Sequence, residues 1–208
     1  MAVPDDFLVA LPEELSARSR YELLTSLVVP RPIGWISTRS GDGIPNLAPF
    51  SYFAALTSSP LMVGVSIGAR RGEPKDTLRN IHETGVFCVN VCNEDLLEPM
   101  NLSSGEYPDA VNEFEVAGLT PREGESVASP WVAEAPAAME CELVERLDLR
   151  PAPNTLVIGR VVRVHLSRAL DLLPGTWSID PRSLRPVGRL GKDQYLMPRE
   201  IRELPRPP

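Results

Sequence analysis

The stretch that decides the fold runs from residue 31 to 84: RPIGWISTRSGDGIPNLAPFSYFAALTSSPLMVGVSIGARRGEPKDTLRNIHET. Residues 33–38 favour a strand, the SGDG that follows offers the positive-φ positions of a hairpin turn, and residues 46–53 predict the returning strand. Pro45 and Pro49 cannot donate to a ladder. We therefore expect the returning strand at the edge of a sheet, where backbone groups stay free for a ligand.

The second half of this stretch predicts an anion site. Residues 61–67 indicate a buried strand, and a helix is expected to begin near Asp76 or Thr77. A helix N-terminus presents unpaired N–H groups and a partial positive charge. Three cationic side chains precede it: Arg70, Arg71 and Lys75. Taken alone, these residues also fit a solvated loop with Asp76 or Thr77 as an ordinary helix cap.

A phosphate would not suffice as the whole ligand. Three charge-assisted hydrogen bonds supply about 5–9 kcal/mol gross, close to the ~8 kcal/mol of a micromolar complex before binding entropy is subtracted. Apolar and aromatic residues near the site suggest a planar ligand body beside the anion: Trp35, Leu47, Ala48, Tyr52 and Phe53.

Several segments resemble one known family along most of the chain. RPIGWIST, PNLAPFSYF and KDTLRNI, followed by MNLSSGEYP, NEFEVAGLT, NTLVIGRVV and RPVGRLG, are similar to the flavin reductase-like family of FMN-binding split β-barrels, which includes flavoredoxins. The similarity spans roughly residues 20–205. It implies a mainly β fold with short helices, an antiparallel split β-barrel, and one domain over 1–208 with an irregular tail from about 173, which could wrap a partner subunit.

The resemblance also implies a non-covalent FMN, held by residues at matching positions. The expected contacts are Trp35, Ser37, Thr38, Asn46, Leu47, Ala48, Ser51, Ser66, Arg71, Lys75, Asp76 and Thr77. Lys75 and Thr77 are assigned to the phosphate, with Arg71 as a further candidate, while Arg189 and Tyr195 are speculative. Because an isoalloxazine accepts hydride itself, no catalytic acid or base is expected.

The function implied by the resemblance is an NAD(P)H:flavin oxidoreductase that transfers hydride from NADH or NADPH to FMN. The alternative is a flavoredoxin-like, FMN-binding electron carrier without rapid NAD(P)H turnover. Implied partners are a second copy of the chain in a homodimer with the flavin near the interface, a nicotinamide nucleotide or redox protein, and a flavin-dependent oxygenase.

Composition narrows the class of protein. The net charge of −7 over 208 residues argues against general nucleic-acid binding, and neither a secretory signal nor a membrane span is expected, so we expect a cytoplasmic protein. The three cysteines do not make a disulfide framework. On a strand Cys88 and Cys92 lie roughly 13 Å apart, so they are expected to be core residues and not metal ligands.

The rest of the chain predicts an antiparallel barrel around this stretch. We expect a helix at 13–27, and a strand at 86–91 after a helix that Gly85 ends. Residues 138–149 and 155–166 predict a long hairpin. Two connections complete the chain: a loop at 103–112 that covers a pocket or reaches a neighbouring subunit, and an irregular excursion at 121–136 anchored by Trp131.

A hydrolase is a second enzymatic interpretation. GVSIG at 64–68 matches the G-x-S-x-G pattern of a nucleophile elbow, and the chain order permits a triad of Ser66, Asp148 and His165. An elbow needs a helix directly after the serine, whereas Gly68, Gly72 and Pro74 delay it here. We therefore expect no such triad.

Overall fold

The computed structural model describes residues 7–207. Its strands are β1 Arg31–Pro32, β2 Gly34–Arg39, β3 Pro45–Phe50, β4 Phe53–Ser58, β5 Leu61–Arg70, β6 Glu73–Pro74, β7 Val86–Asn90, β8 Pro121–Glu123, β9 Pro130–Val132, β10 Ala137–Asp148, β11 Asn154–Leu166, β12 Gly188–Arg189 and β13 Tyr195–Leu196. Its α-helices are α1 Ala17–Leu27, α2 Asp76–Thr84, α3 Leu97–Leu102, α4 Glu113–Val116 and α5 Pro181–Leu184, with 3-10 turns at Pro12–Glu14 and Glu94–Leu96.

The main sheet is antiparallel and curls without closing. Its strand order is β3-β2-β7-β10-β11-β5-β4, with β6 paired to β5. Antiparallel strands joined by hairpins curl into barrels, and here β3 and β4 are the two open ends of the order. The predicted antiparallel split β-barrel is confirmed.

The hairpin of β2 and β3 forms as the sequence predicts. Gly43 adopts φ +87° and its N–H donates to the Ser40 carbonyl at 2.9 Å, which closes the turn. The two prolines of β3 lie on an edge strand, as expected. The strand ends at Phe50, however, and not at residue 53, because the chain bends at Ser51 and Tyr52 before β4 begins.

Two apolar clusters hold the barrel together. One fills its interior and includes Ile36, Val65 and Phe87. The other packs Trp35 against Met100 and further residues of the segment around α3 and α4. Strand β2 is therefore covered on both faces, and five of its six residues are fully buried.

The ends of the chain differ from the prediction in detail. The expected helix at 13–27 begins only at Ala17, because the Ser16 hydroxyl accepts a hydrogen bond from Ser19 N and makes Ser16 the N-cap. The tail beyond 173 is irregular over most of its length, but it returns to its own chain. There β12 pairs with β1, and Arg185 forms ion pairs with Glu94 and Asp95.

The excursion at 121–136 is fastened by a buried carboxylate. Glu140 of β10 is fully buried and accepts hydrogen bonds from the backbone N–H groups of three consecutive loop residues, 125–127, at 2.6–2.9 Å. The His165 ring nitrogen Nε2 lies 2.6 Å from the same carboxylate, and the His165 ring stacks on Trp131. Trp131 is buried, so its predicted anchoring role is confirmed.

Candidate functional site

A cavity of about 370 Å³ opens where α2 begins, between the edge strand β3 and the end of β5. Its walls come from four segments that are distant in sequence: β3, the 69–77 segment, the 103–106 loop and the start of α4. The β3 edge is available because its prolines end the sheet there. The cavity thus lies at the place where the sequence predicts a ligand.

Three cationic side chains line this cavity, along with three carboxylates. Lys75 occupies the N-cap of α2 in extended conformation and no side chain caps the helix, so the first-turn N–H groups remain available. Arg70 and Arg71 complete the cationic set, and Arg71 adopts φ +54°. Burial, and then the nearby charge of Arg70, lowers the pKa of Lys75 from its ordinary value. Its Nζ lies 5.4 Å from the Phe50 ring centroid.

The 103–112 loop forms one wall and is tied to the cationic segment by ion pairs. Arg71 contacts Glu106 at 3.1 Å, and Arg79 of α2 contacts Asp109 at 3.0 Å. These side chains are largely solvent-exposed. The prediction that this loop covers a pocket is confirmed for its first residues, which line the cavity.

A chain of buried polar side chains forms the wall opposite the loop. Glu113 Oε1 accepts from Asn46 Nδ2, and its Oε2 accepts from Leu47 N, both at 3.0 Å. The Thr77 hydroxyl donates to Asn46 Oδ1 at 2.9 Å. Behind it, Thr38 Oγ1 lies 3.3 Å from the same oxygen. Burial raises the pKa of Glu113 from its ordinary value.

A second cavity of about 180 Å³ adjoins the first, with Pro49 and Ser104 lining both. It differs from the first cavity in its aromatic side chains, and it is lined by Tyr21, Phe50 and Tyr195 together with Ile33, Met100, Ser51 and Arg189. An anionic group in the first cavity and a planar aromatic body in the second would be neighbours. None of the residues predicted to pack against a planar ligand body lines the second cavity: Trp35 and Leu47 are buried, Ala48 lines the first cavity, and Tyr52 and Phe53 line a separate depression.

The expected contact residues fall into three groups. Six line the first cavity: Asn46, Ala48, Arg71, Lys75, Asp76 and Thr77. Ser51 lines the second cavity, as do the speculative Arg189 and Tyr195. The side chains of the remaining five lie elsewhere: Trp35, Ser37, Thr38, Leu47 and Ser66.

The side chains of four of these five residues are fully buried: Trp35, Ser37, Thr38 and Leu47. Trp35 Nε1 donates to Ser103 Oγ at 2.9 Å, and Ser37 Oγ donates to the Pro130 carbonyl. These side chains already have hydrogen-bond or packing partners inside the protein, so they lie behind the cavity walls and not on their surface.

Ser66 is also engaged within the protein. It lies on β5 and accepts a hydrogen bond from Asn154 Nδ2 at 3.2 Å. It faces Leu156 on β11, whereas His165 lies nine residues further along that strand, roughly 30 Å away. The hydrolase triad is therefore not assembled, as expected.

Sequence reasoning missed two parts of the site. Arg70 was grouped with the cations but not among the cofactor contacts, and Glu113 was not singled out, although both line the cavity. Glu113 lies in the NEFEVAGLT segment, which carried part of the family resemblance. That segment was the signal available in the sequence.

Two other expectations concern metals and membranes. Cys88, Cys92 and Cys141 are unpaired and buried in the core, as predicted. Among residues 7–207, no group of three His, Cys, Asp or Glu side chains lies where it could hold a metal ion. In the same part of the chain, no helix is long and apolar enough to cross a membrane.

The fold is a split β-barrel with two adjoining cavities beside the start of α2. The profile of the flavin reductase like domain matches residues 26–178, which is most of the chain. The protein therefore belongs to the flavin reductase-like family, and the predicted family resemblance is confirmed.

Relatives and solved structures agree with this placement. An uncharacterized protein of Halalkalibacterium halodurans is 40% identical over 202 residues, which cover 94% of this chain and 95% of that protein. Nitrilotriacetate monooxygenase component B of Bacillus cereus superposes with a TM-score of 0.90 at 34% identity, covering 97% of this chain and all of that one. The 2-nitrobenzoate 2-nitroreductase of Pseudomonas fluorescens gives a TM-score of 0.82 at 27% identity, with 97% and 96% coverage.

Proposed function

We propose that this protein binds FMN and acts as an NAD(P)H:flavin oxidoreductase. The observation that carries the proposal is a cavity with three cationic side chains at the uncapped start of α2, directly beside a cavity lined by aromatic side chains, in a chain of the flavin reductase-like family. FMN has a phosphate at one end and a planar ring at the other. The two cavities offer matching chemistry at adjacent positions.

The residues present fit the phosphate end of FMN. Lys75, Arg70 and Arg71 supply positive charge, and α2 supplies uncapped N–H groups together with the Thr77 hydroxyl. Asp76 lines the same cavity, but it accepts from Arg79, which offsets its charge. The family assignment of Lys75, Thr77 and Arg71 to the phosphate is therefore retained in the proposal.

The ring end is supported by apolar and aromatic side chains. Phe50, Ile33 and Met100 exclude water from one side of the second cavity, and Tyr195 and Arg189 bound it on another. A bound isoalloxazine supplies the hydride-accepting chemistry itself. The task of this chain is then to hold the ring and leave one face open to the nicotinamide nucleotide, which requires no side-chain acid or base.

Reduced flavin needs an acceptor, and we propose a flavin-dependent oxygenase in that role. The solved structure from Bacillus cereus is component B of a monooxygenase, which supports this proposal at 34% identity. The alternative is an electron carrier that holds FMN and exchanges electrons with a redox protein. The reductase and the electron carrier would bind FMN in the same cavities, and they differ in whether they turn over NADH or NADPH.

We further propose a homodimer in the cytoplasm. Helix α1 and strand β4 carry exposed apolar side chains, including Leu24, Leu27 and Leu56. They adjoin an apolar depression of about 360 Å³ that is also lined by Tyr52 and Phe53. Continuous exposed apolar surface of this kind marks protein interfaces. Light scattering of the purified protein tests the dimer directly.

A visible absorption spectrum tests the flavin and the reductase separately. The purified protein is titrated with FMN, then mixed anaerobically with NADH and, in a parallel sample, with NADPH. A flavin band that either nucleotide bleaches rapidly is the expected result. A bound flavin that neither nucleotide bleaches indicates the carrier, and no FMN binding at all refutes both functions.

A further inference from the structure

Glu113 is an unusual residue to find in a cavity for an anion. Its side chain is buried and lines the same cavity as Lys75 and Thr77. Both of its hydrogen-bond donors, Asn46 Nδ2 and Leu47 N, are neutral amides. A carboxylate held in this way repels an incoming phosphate.

The hydrogen bonds around Glu113 also restrain the Thr77 hydroxyl. An ionised carboxylate only accepts, so Asn46 must turn its NH₂ group toward Glu113 and its Oδ1 toward Thr77. In that arrangement the Thr77 hydroxyl donates to Asn46 Oδ1 at 2.9 Å. Its proton is then committed to the protein and unavailable to a ligand.

We propose that Glu113 and Asn46 form a proton-coupled latch on Thr77, in which uptake of a proton by Glu113 releases the Thr77 hydroxyl to the phosphate of the flavin. The proposal rests on the FMN site proposed above. The proton comes from solvent and remains on Glu113 Oε1 while the phosphate is bound. Glu113 is thus a positioning residue that acts through Asn46.

The released state gives Glu113, Asn46 and Thr77 new partners. Protonated Glu113 donates to Asn46 Oδ1 after the amide turns over, while Glu113 Oε2 still accepts from Leu47 N. Asn46 Nδ2 then donates to Thr77 Oγ1, whose own proton is free for the ligand. The turn removes the acceptor of the Thr38 hydroxyl, which donates to Asn46 Oδ1 at 3.3 Å in the resting state, and this loss opposes the release.

The charges around the cavity set the direction of the coupling. Lys75 and Asp76 belong to α2, Arg70 and Arg71 to the end of β5, and Glu106 to the loop. Burial, with a contribution from Asp76, already raises the pKa of Glu113 in the empty site. A phosphate dianion adds a further like charge and raises it more. FMN affinity must therefore fall as pH rises between these two pKa values.

The test compares wild type with Glu113→Gln, because glutamine reproduces the hydrogen bonds of the protonated acid. FMN dissociation constants are measured from about pH 5 to about pH 8. The phosphate and Lys75 titrate in both proteins, so they cancel in the ratio. The ratio of the wild-type to the variant dissociation constant for FMN should grow as pH rises. The total growth should be about tenfold for each unit by which FMN binding raises the pKa of Glu113. Glu115→Gln, an exposed change on the same helix, should behave as wild type.

Three further measurements distinguish the latch from a purely structural role. Calorimetry of the wild type in two buffers of different ionisation enthalpy should detect proton uptake that Glu113→Gln lacks. Riboflavin, which has no phosphate, should bind both proteins with the same pH dependence. On a Thr77→Val background the advantage of Glu113→Gln should shrink to the part that comes from removing the repelling charge, because no hydroxyl remains to be released, and an advantage of unchanged size overturns the latch.

The outcomes separate the two proposals. FMN binding with the same pH dependence in both proteins, or an equal effect of the variant on riboflavin, overturns the latch and leaves the flavin site standing. Absence of FMN binding to either protein overturns the flavin site and the latch together.

Discussion

Glu140 is the side chain whose replacement should most disturb the second half of the barrel. Its Oε1 accepts from Glu125 N and lies 2.6 Å from His165 Nε2, while its Oε2 accepts from Ser126 N and Val127 N. Glu140→Gln keeps the shape of the side chain but turns one of these oxygens into an NH₂ group. With the NH₂ group in the Oε2 position two backbone N–H donors lose their acceptor; in the Oε1 position Glu125 N loses its acceptor, and His165 Nε2 keeps a partner by accepting from the amide in the neutral tautomer.

The loss of stability in Glu140→Gln follows from the number of hydrogen bonds that it removes. Hydrogen bonds to a charged group contribute about 1.5–3 kcal/mol each, so the loss of one or two lowers the free energy of unfolding by about 1.5–6 kcal/mol. Glu140 is fully buried, so solvent screening does not reduce this figure. Because domains of ordinary size are stable by only about 5–15 kcal/mol, the variant should be severely destabilised.

Urea unfolding followed by circular dichroism measures the loss, with Glu142→Gln as the matched control. Glu142 lies two residues along the same strand and forms a half-exposed ion pair with Arg160, so its loss should cost less than about 1 kcal/mol. If the two variants differ by less than about 1 kcal/mol, the carboxylate does not fasten the loop and our reasoning is wrong.

Wild type and Glu140→Gln should also differ in how their stability depends on pH. Burial alone raises the pKa of Glu140, but hydrogen bonds from the 125–127 backbone and from His165 outweigh it, and the net shift is downward. A lowered folded-state pKa contributes stability above the unfolded value of about 4.3, and this is lost as pH falls through the folded value. Wild type should lose this increment on acidification, and Glu140→Gln should not.

Two further predictions concern the candidate site and the core. Lys75→Ala should weaken FMN binding at least several-fold by removing one charge-assisted contact, whereas alanine at Lys192, an exposed lysine outside both cavities, should leave the affinity unchanged in the same fluorescence titration. Burial raises the pKa values of the Cys88 and Cys92 thiols to about 12 and also raises the pKa of Cys141. None of the three should therefore react with a thiol reagent at about pH 8 until urea unfolds the protein. Rapid labelling of the native protein would contradict a fully packed core.

The parts of the fold that local chemistry determines could be predicted from the sequence. The turn before β3 requires a residue at positive φ, and Gly43 occupies that position. Gly85 ends α2 at φ +72°. The long hairpin of β10 and β11 also lies within a residue or two of its predicted bounds. In each case the deciding residues are neighbours in the chain.

Contacts between distant segments could not be predicted in this way. Glu113 enters the site only because α4 packs on β3, and it reaches Asn46 across 67 residues of sequence. The burial of the Trp35 and Ser37 side chains could not be predicted for a related reason. The alternation of a strand tells which side chains share a face, but β2 is covered on both faces, so neither of its faces is open to a ligand.

The loop wall of the cavity has a consequence for how quickly a ligand exchanges. Its ion pairs from Arg71 to Glu106 and from Arg79 to Asp109 are solvent-exposed, and such pairs each contribute only about 0–1 kcal/mol. Parting them costs far less than disturbing the packed barrel beneath. The exposed part of the wall, from Ser104 to Asp109, can therefore open while Ser103 stays hydrogen-bonded to Trp35, and because salt screens exposed charges, ionic strength should alter the rate at which the ligand enters and leaves.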